Sequence, residues 1–369
     1  MNMRKIAHIS AALLLGLLFA ACDSGQEIPQ PADKTVEIAF NIDNYTKVIT
    51  NMKSASSAAA TRATDVGTAQ ESEVKDFYIF LFRENTQQLI GKYYVANAAA
   101  DGSVTGGTGG TYVVAEKKAS LNLTQAEAGK CDVYIVANAT DNDVKATLDG
   151  ITATTANPLD AVKSVSRSVN TPWSATLSTP ILMSGYKNHD FISDRQLDHV
   201  NLVRALAKVE LKITLKAEHQ STPVVREGDF SDPSAILINK PQYHYAFLNF
   251  DQRTYALKPA SKESLLTAPN AVADLRNPAT GGWSWSVWNT LGTYLPEGAT
   301  DNTNVTGLNL VTYINERVPE VPAKPLSAIG IKMPYNGPTP PPEFGPDVTQ
   351  IFLPTTIARN NWYVYNVEL

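Results

Sequence analysis

Cysteine is nearly absent: the 369 residues hold two, Cys22 and Cys131, so no disulfide framework stabilises the fold. Histidine is scarce as well. Of the five, His8 lies in an apolar leader, and His189, His199, His219 and His244 show no metal-ligand spacing with one another or with cysteine. No G-x-S-x-G elbow occurs, and Cys131 has no activating partner nearby in sequence. The glycine run ADGSVTGGTGG lacks both the Lys-Ser/Thr and the strand–helix setting of a phosphate cradle. Acidic residues are plentiful, but without geometry they read as solvated surface charge. Catalytic and metal sites are therefore both expected to be none, with no cofactor. Lys and Arg number 31 against 36 Asp and Glu, and the net charge of −5 is spread out with no basic stripe, which excludes nucleic acid as a partner.

Long apolar runs are also missing beyond one, at the start. Arg4 and Lys5 precede Ile6 to Ala21, apolar apart from His8 and Ser10 and too short for a comfortable membrane span. The run ends LFAAC, which resembles the lipobox of bacterial lipoproteins, with Phe19 where leucine is usual. Residues 1–21 are read as a lipoprotein signal peptide and Cys22 as the acylated mature N-terminus. Several acyl chains hold a protein on a membrane far better than one, at about 0.8 kcal/mol per buried methylene. Residues 22–34, polar and with two prolines in DSGQEIPQPADK, read as a tether. With Cys22 acylated, Cys131 is left as a small buried hydrophobe.

What is abundant is short strand pattern. DFYIFLF is apolar on both faces and expected to be central, and KCDVYIVANATD is a second buried strand. Asn157 and Pro158 look like an N-cap and first helical residue, opening a short helix through LDAVKSVSRS. RALAKVELKITL alternates best. Ala205, Ala207, Val209, Leu211, Ile213 and Leu215 share one face, while Arg204, Lys208, Glu210 and Lys212 make the other, expected to be wet. AEHQSTPVVREGDFSDPS reads as a linker, and short strands resume after it. The Pro-rich stretch Pro334 to Asp347 cannot sit in a sheet interior. The class predicted is all-β with minor helix, as two β-sandwiches in tandem, with an N-terminal domain over 35–216 and a C-terminal one over 217–369.

The stretch on which the rest turns is VEIAFNI. Val36, Ile38, Phe40 and Ile42 point one way, and Glu37, Ala39 and Asn41 the other, the period of a half-buried strand. NMKSASSAAATRATD follows, small and polar, with no hydrophobic pattern to hold it in a sheet. Its Arg62–Ala63 bond is expected to be open to a trypsin-like protease. Cutting there turns Val36 to Ile42 into a strand that can leave its sheet, opening an apolar groove. The plainer reading is a first strand, then a loop in which an arginine falls by chance.

Several of these stretches, in order, resemble the fimbrillin family of Bacteroidales, the pilins of type V fimbriae. They are the lipobox at Cys22, the strand-then-arginine segment ending TRA, DFYIFLF, VYIVANA, ILMSG, RALAKVEL and the terminal IARNNWYVYNVEL. The resemblance implies two transthyretin-like β-sandwich domains and a precursor lipoprotein anchored in the outer membrane. It implies cleavage by an Arg-specific surface protease, and polymerisation with self and accessory fimbrial subunits, by strand exchange, into an adhesive fimbria. Position by position, Arg62 and Ala63 match the cleavage site and Val36 to Ile42 the displaced strand. Asn361 to Leu369, with Tyr363, Tyr365, Val367 and Leu369 on one face, is the candidate donor. The sequence leaves two placements for that last segment, free donor or strand of the second sandwich, and with them a shaft, tip or anchor role. A different class, a non-polymerising glycan-binding lipoprotein, is raised by Trp283 and Trp285. They share a strand face and offer a stacking surface for a sugar, with Trp288 opposite, unless they fill the core instead.

Overall fold

Alternation places the first strand. In the computed structural model, β1 (Thr35–Ile42) buries Val36, Ile38 and Phe40 completely or nearly so, with Ile42 half-buried against the same cluster. The structure describes residues 34–53, 56–57, 60–168, 177, 179–214, 225–227, 237–239, 244–248, 250–251, 253–257, 272–273, 276–277, 282–283, 286–287, 307–317, 327–332 and 348–368. Cys22, the leader, the tether, Leu369, the stretch 217–224 and the Pro-rich stretch 334–347 lie outside them.

The remaining strands of the first half are β2 (Tyr45–Lys53), β3 (Ser56–Ser57), β4 (Thr61–Asp65), β5 (Phe77–Arg83), β6 (Leu89–Val95), β7 (Gly102–Val104), β8 (Gly110–Val113), β9 (Lys118–Thr124), β10 (Lys130–Ala137), β11 (Ser166–Ser168), β12 (Met183–Asp190), β13 (Gln196–Arg204) and β14 (Leu206–Thr214). Eight of them and β1 form one nine-stranded sheet in the order β6-β5-β10-β12-β13-β1-β9-β8-β7. β12 and β13 pair only at Met183↔Arg204 and Ser184↔Val203. There the sheet turns over, and the two halves pack face to face: the Phe40 and Phe77 rings meet edge-on at 5.1 Å although three strands separate β1 from β5 in the sheet. Gly185 sits at that turn because any Cβ would collide with the Asn201 carbonyl oxygen of β13.

β5 is buried on both faces, as its composition predicts. One face joins the inner core. The other, Tyr78, Phe80 and Phe82, is covered by the helices α2 (Lys145–Gly150) and α3 (Pro158–Ser164), while α1 (Gln125–Ala128) caps the end of β9. The predicted helix is shorter than expected. Asn157 makes no side-chain cap, and Val165 leaves the helix for the extended β11, still buried beside Leu159 and Val162.

Beyond 214 the described strands include β15 (His244–Leu248), β16 (Arg253–Tyr255), β17 (Gly307–Asn315), β18 (Ala328–Lys332), β19 (Val348–Phe352) and β20 (Asn361–Glu368). A second sheet runs β17-β14-β20-β2-β3, with β4 also on β2. β15, β18 and β19 form a further sheet with the short strand Ser286–Val287. Val209, Leu211 and Ile213 of β14, Tyr363, Tyr365 and Val367 of β20, Ile329 and Ile331 of β18 and Ile351 of β19 make the shared core, with Val48 and Met52 packed on it.

Two expectations are corrected here, and the change of sheet is located. It lies ahead of the expected boundary at 216/217. β13 belongs to the first sheet and β14 to the second, so the change comes at Ala205, because the Ala207-to-Ile213 face completes the second core. The polar face of RALAKVELKITL is not uniformly wet: Arg204, Lys208 and Glu210 are buried and only Lys212 is exposed. And the polar run through Arg62 does enter a sheet. β4 needs no hydrophobic pattern because it pairs through its backbone with Tyr45–Ile49 of β2, with one ion pair from Asp65 to Lys47, while Thr61 to Thr64 are exposed.

Candidate functional site

The segment ahead of Arg62 belongs to both sheets. β1 lies between β9, antiparallel, and β13, parallel; β2 lies between β20, parallel, and β3 and β4, antiparallel. Between β1 and β2 only Asp43 and Asn44 cross from one sheet to the other. An extended chain advances about 3.3 Å per residue, so that crossing is short and must be held tightly.

Arg204 holds it. Its side chain is fully buried, and all five N–H donors are engaged. Nε donates to the Glu71 carbonyl at 2.8 Å. Nη1 donates to the Asp43 carbonyl and to Asn360 Oδ1, each at 2.8 Å. Nη2 donates to Ser72 Oγ at 2.8 Å and to the Val66 carbonyl at 3.3 Å. The ring of Tyr45, itself wholly buried, covers the guanidinium at 4.1 Å. Burial draws the Arg204 pKa down, against the nearby Tyr45 and Glu71, and pushes the Tyr45 phenol up. Asn360 adds a second grip: its Nδ2 donates to the Asn44 carbonyl at 2.7 Å and its own carbonyl accepts from Thr46 N at 3.1 Å.

A row of side chains backs this crossing on the second sheet. Lys47, Trp362, Lys208 and Tyr313 occupy neighbouring register positions on β2, β20, β14 and β17. Both ammonium groups lie over the indole, at 3.9 and 3.7 Å, and Tyr45 meets it edge-on at 6.1 Å. Lys208 Nζ stands 2.9 Å from Glu71 Oε1, which also accepts from the Tyr313 hydroxyl at 2.7 Å. Burial acts to raise the Glu71 carboxyl, but bonds from Lys208, Thr68 and Tyr313 and the Lys208 charge bring it below its ordinary value. Glu37, on the outer side of β1, is also held low. Burial opposes, and bonds from Gln196 and Arg195 with the charges of Lys118 and Arg195 prevail.

A pH dependence follows from these two carboxyls. Each has a folded pKa below its unfolded one, so its contribution is present above the unfolded value and lost as pH falls through the folded value. Asp76, raised by burial, acts in the opposite sense. Urea midpoints are expected to drop from about pH 6 to about pH 3, and Glu71→Gln should flatten that slope. An unchanged slope in the variant would show that Glu71 does not carry it.

The structure thus brings Val36, Ile38, Phe40 and Ile42 together as one buried face, while Arg62 and Ala63 are exposed on β4. Of the two placements left for the last strand, the chain adopts the second. β20 pairs with β14 from Lys208↔Trp362 to Thr214↔Glu368 and with β2 from Thr46↔Asn361 to Lys53↔Glu368. Tyr363, Tyr365 and Val367 lie in the second core. Trp283 sits on a two-residue strand whose side chains fall outside the described set, as do Trp285 and Trp288 altogether. Arg204, Asn360, Tyr45 and Glu71 were not singled out as a site in the sequence. A charged residue entering an apolar alternation, as Arg204 does, was the available signal. Among the described residues no group of His, Cys, Asp and Glu is arranged to hold a metal ion.

Known proteins match this chain closely. A family model for the minor fimbrium tip subunit MfA4, C-terminal, covers residues 205–368, and one for the major fimbrial subunit protein (FimA) covers residues 47–215. The two ranges meet at β14, where the chain changes sheet. The minor fimbrium tip subunit MfA4 of Porphyromonas gingivalis is 34% identical over 372 residues, spanning 97% of this chain and 98% of that protein. Among solved structures, the tip fimbrial protein Mfa3 of Porphyromonas gingivalis, with a C-terminal truncation, aligns at 12% identity and a TM-score of 0.44, over 88% of this chain and 94% of that one. A fimbrial assembly protein from Parabacteroides distasonis aligns at 12% identity and a TM-score of 0.40, over 88% and 90%. With a relative sharing a third of its residues over nearly its whole length, and fimbrial subunit models matching both halves, the chain belongs to the fimbrillin family, the structural, non-catalytic subunits of cell-surface fimbriae.

Proposed function

We propose that this chain is exported as a lipoprotein through Cys22, anchored in the outer membrane, cut after Arg62 by an Arg-specific surface protease, and joined to other fimbrial subunits by strand replacement. The observation that carries this reading is the double membership of residues 35–53: β1 is interior to one sheet and β2 to the other, and both precede Arg62. While the chain is intact, the buried faces of β1 and β2 complete both cores. After cleavage those contacts persist, but the piece that makes them is no longer covalently held. Its departure leaves a groove in each sheet, edged by the unpaired backbone of β9, β13 and β20, and such edges accept a strand from another chain by β-augmentation.

The same geometry favours a terminal position over a shaft position. A shaft subunit must both receive a strand and give one. Here β20 stays paired to β14 even after β2 departs, and its apolar side chains are consumed in its own core. A subunit that receives but does not give ends a fibre, in keeping with the tip role named for the Porphyromonas gingivalis relative.

The test is the N-terminal residue of the protein taken from the cell surface. Ala63 is expected; a blocked, acylated Cys22 on the mature fimbrial protein would overturn the processing step. Mild trypsin treatment of the folded precursor is expected to cut first after Arg62, an exposed residue on a strand with one partner, and to spare buried Arg204. A first product beginning beyond residue 214 would contradict this placement.

A further inference from the structure

We infer that Arg204, Asn360 and Trp362 form a recognition pocket that selects the incoming strand of a partner subunit by an aromatic residue just past its crossing between the two sheets. The inference rests on the strand-replacement reading and goes beyond it, because it says which feature of the partner is read. The partner segment it fits is extended, with alternating apolar residues, then a two-residue crossing, then Tyr or Phe.

The pocket is defined by what departs with residues up to Arg62 and what stays. Four acceptors of the Arg204 guanidinium stay: the Glu71 and Val66 carbonyls, Ser72 Oγ and Asn360 Oδ1 all lie beyond the cut. The guanidinium is therefore still aimed. It loses the Asp43 carbonyl on Nη1 and the Tyr45 ring over its face. Asn360 loses the Asn44 carbonyl on Nδ2 and the Thr46 N–H on its own carbonyl. Trp362 loses the edge-on Tyr45 ring and the Lys47 ammonium. What remains is a cation with one free donor and one bare face, an amide with a free donor, and an indole beside them. A backbone carbonyl pair followed by an aromatic ring meets all three requirements. An aliphatic side chain would leave a desolvated cation without a π-face.

The rest of the groove is less discriminating. Val36, Ile38 and Phe40 fit an apolar face that any alternating strand could present, and two grooves in two sheets admit slipped registers. A slip of one residue would turn every apolar side chain outward. The bonds from Arg195 and Gln196 to Glu37 give one polar grip on β1, and the crossing adds a second, where fixed donors meet two backbone carbonyls and a buried cation meets a ring. The Tyr45 hydroxyl has no hydrogen-bond partner among the described residues, so it is the ring and not the phenol that is recognised.

The experiment uses the full-length protein cut after Arg62 and a fluorescent peptide of residues 34–53, competed by unlabelled peptides of the same span. Varying the peptide leaves the protein's own folding untouched. Tyr45→Phe is expected to compete within about 3-fold of the natural peptide, and Tyr45→Leu and Tyr45→Ala to be weaker by about 10-fold or more. A peptide with one residue inserted between Asp43 and Asn44 is expected to compete as poorly as Tyr45→Ala. If Tyr45→Leu competes as well as Tyr45→Phe, the pocket reads volume and the inference is wrong. If Phe40→Ala weakens the peptide while Tyr45→Ala does not, strand replacement stands and selection at the crossing falls. If no peptide enters the cut protein, strand replacement itself fails and takes the inference with it.

Discussion

A chain ended at Asn361 is expected to lose its second sheet. β20 is not an edge: it is hydrogen-bonded to β14 on one side and β2 on the other, and Tyr363, Val364, Tyr365 and Val367 are all buried. Each such side chain contributes about 1.5–3 kcal/mol when fully buried. Their sum is comparable to the whole stability of an ordinary domain, about 5–15 kcal/mol. Removing β20 also strips β2 of its parallel partner, so the damage reaches the segment that enters the first sheet. The truncated protein should bind a dye for exposed apolar surface and lose the near-UV signal of its tyrosines, while the helix-backed face of β5 and β10 persists. A truncated chain with an unchanged denaturation midpoint would show that the last strand is dispensable and return it to the role of free donor. The result also decides how any loss of polymerisation on truncation is read: as a folding defect, not as a missing donor.

Lys208→Met is expected to cost about 3–5 kcal/mol, the range for removing one partner of a buried ion pair. Lys208 is 5% exposed and Glu71 0%, so the carboxylate left behind has little access to water. The Tyr313 hydroxyl and Thr68 N–H still reach it. They soften the loss but carry no charge. The methylenes of methionine preserve most of the packing against Trp362, which isolates the electrostatic part. Glu71→Gln in the same chain should recover a good part of the loss, because it removes the unpaired charge while keeping an acceptor for Tyr313. Urea midpoints of the two single variants and the double variant measure this. A Lys208→Met protein as stable as the natural one would show that Glu71 is neutral or hydrated in the fold, and would remove it from the pH dependence argued above.

Much of the fold was legible because its signals are local. The alternation of VEIAFNI predicts which side chains β1 buries, and the unbroken apolar run FYIFLF predicts burial on both faces of β5. The ordered set of family-like stretches was legible too, and the relative at 34% identity agrees with it. The strand status of residues 61–65 was not legible. TRATD has no apolar face, and an edge strand held by backbone bonds and one ion pair leaves no mark in hydrophobic periodicity. The site at the crossing was hidden for another reason. Arg204 reads as the wet face of a strand, and nothing local shows that Tyr45, Glu71 and Asn360, separated from it by more than a hundred residues, close over it.

By itself the sequence determined the class of this protein: many short strands with little helix. It also determined which four side chains make the apolar face of β1. Only the tertiary structure decided where the pieces pair. It put β2 beside the last strand, placed the change of sheet at Ala205, and paired the final segment on both sides within the second sheet. The physical reason is that side-chain periodicity states which face of a strand is buried, whereas its neighbours are chosen by backbone hydrogen bonds that any residue but proline can make.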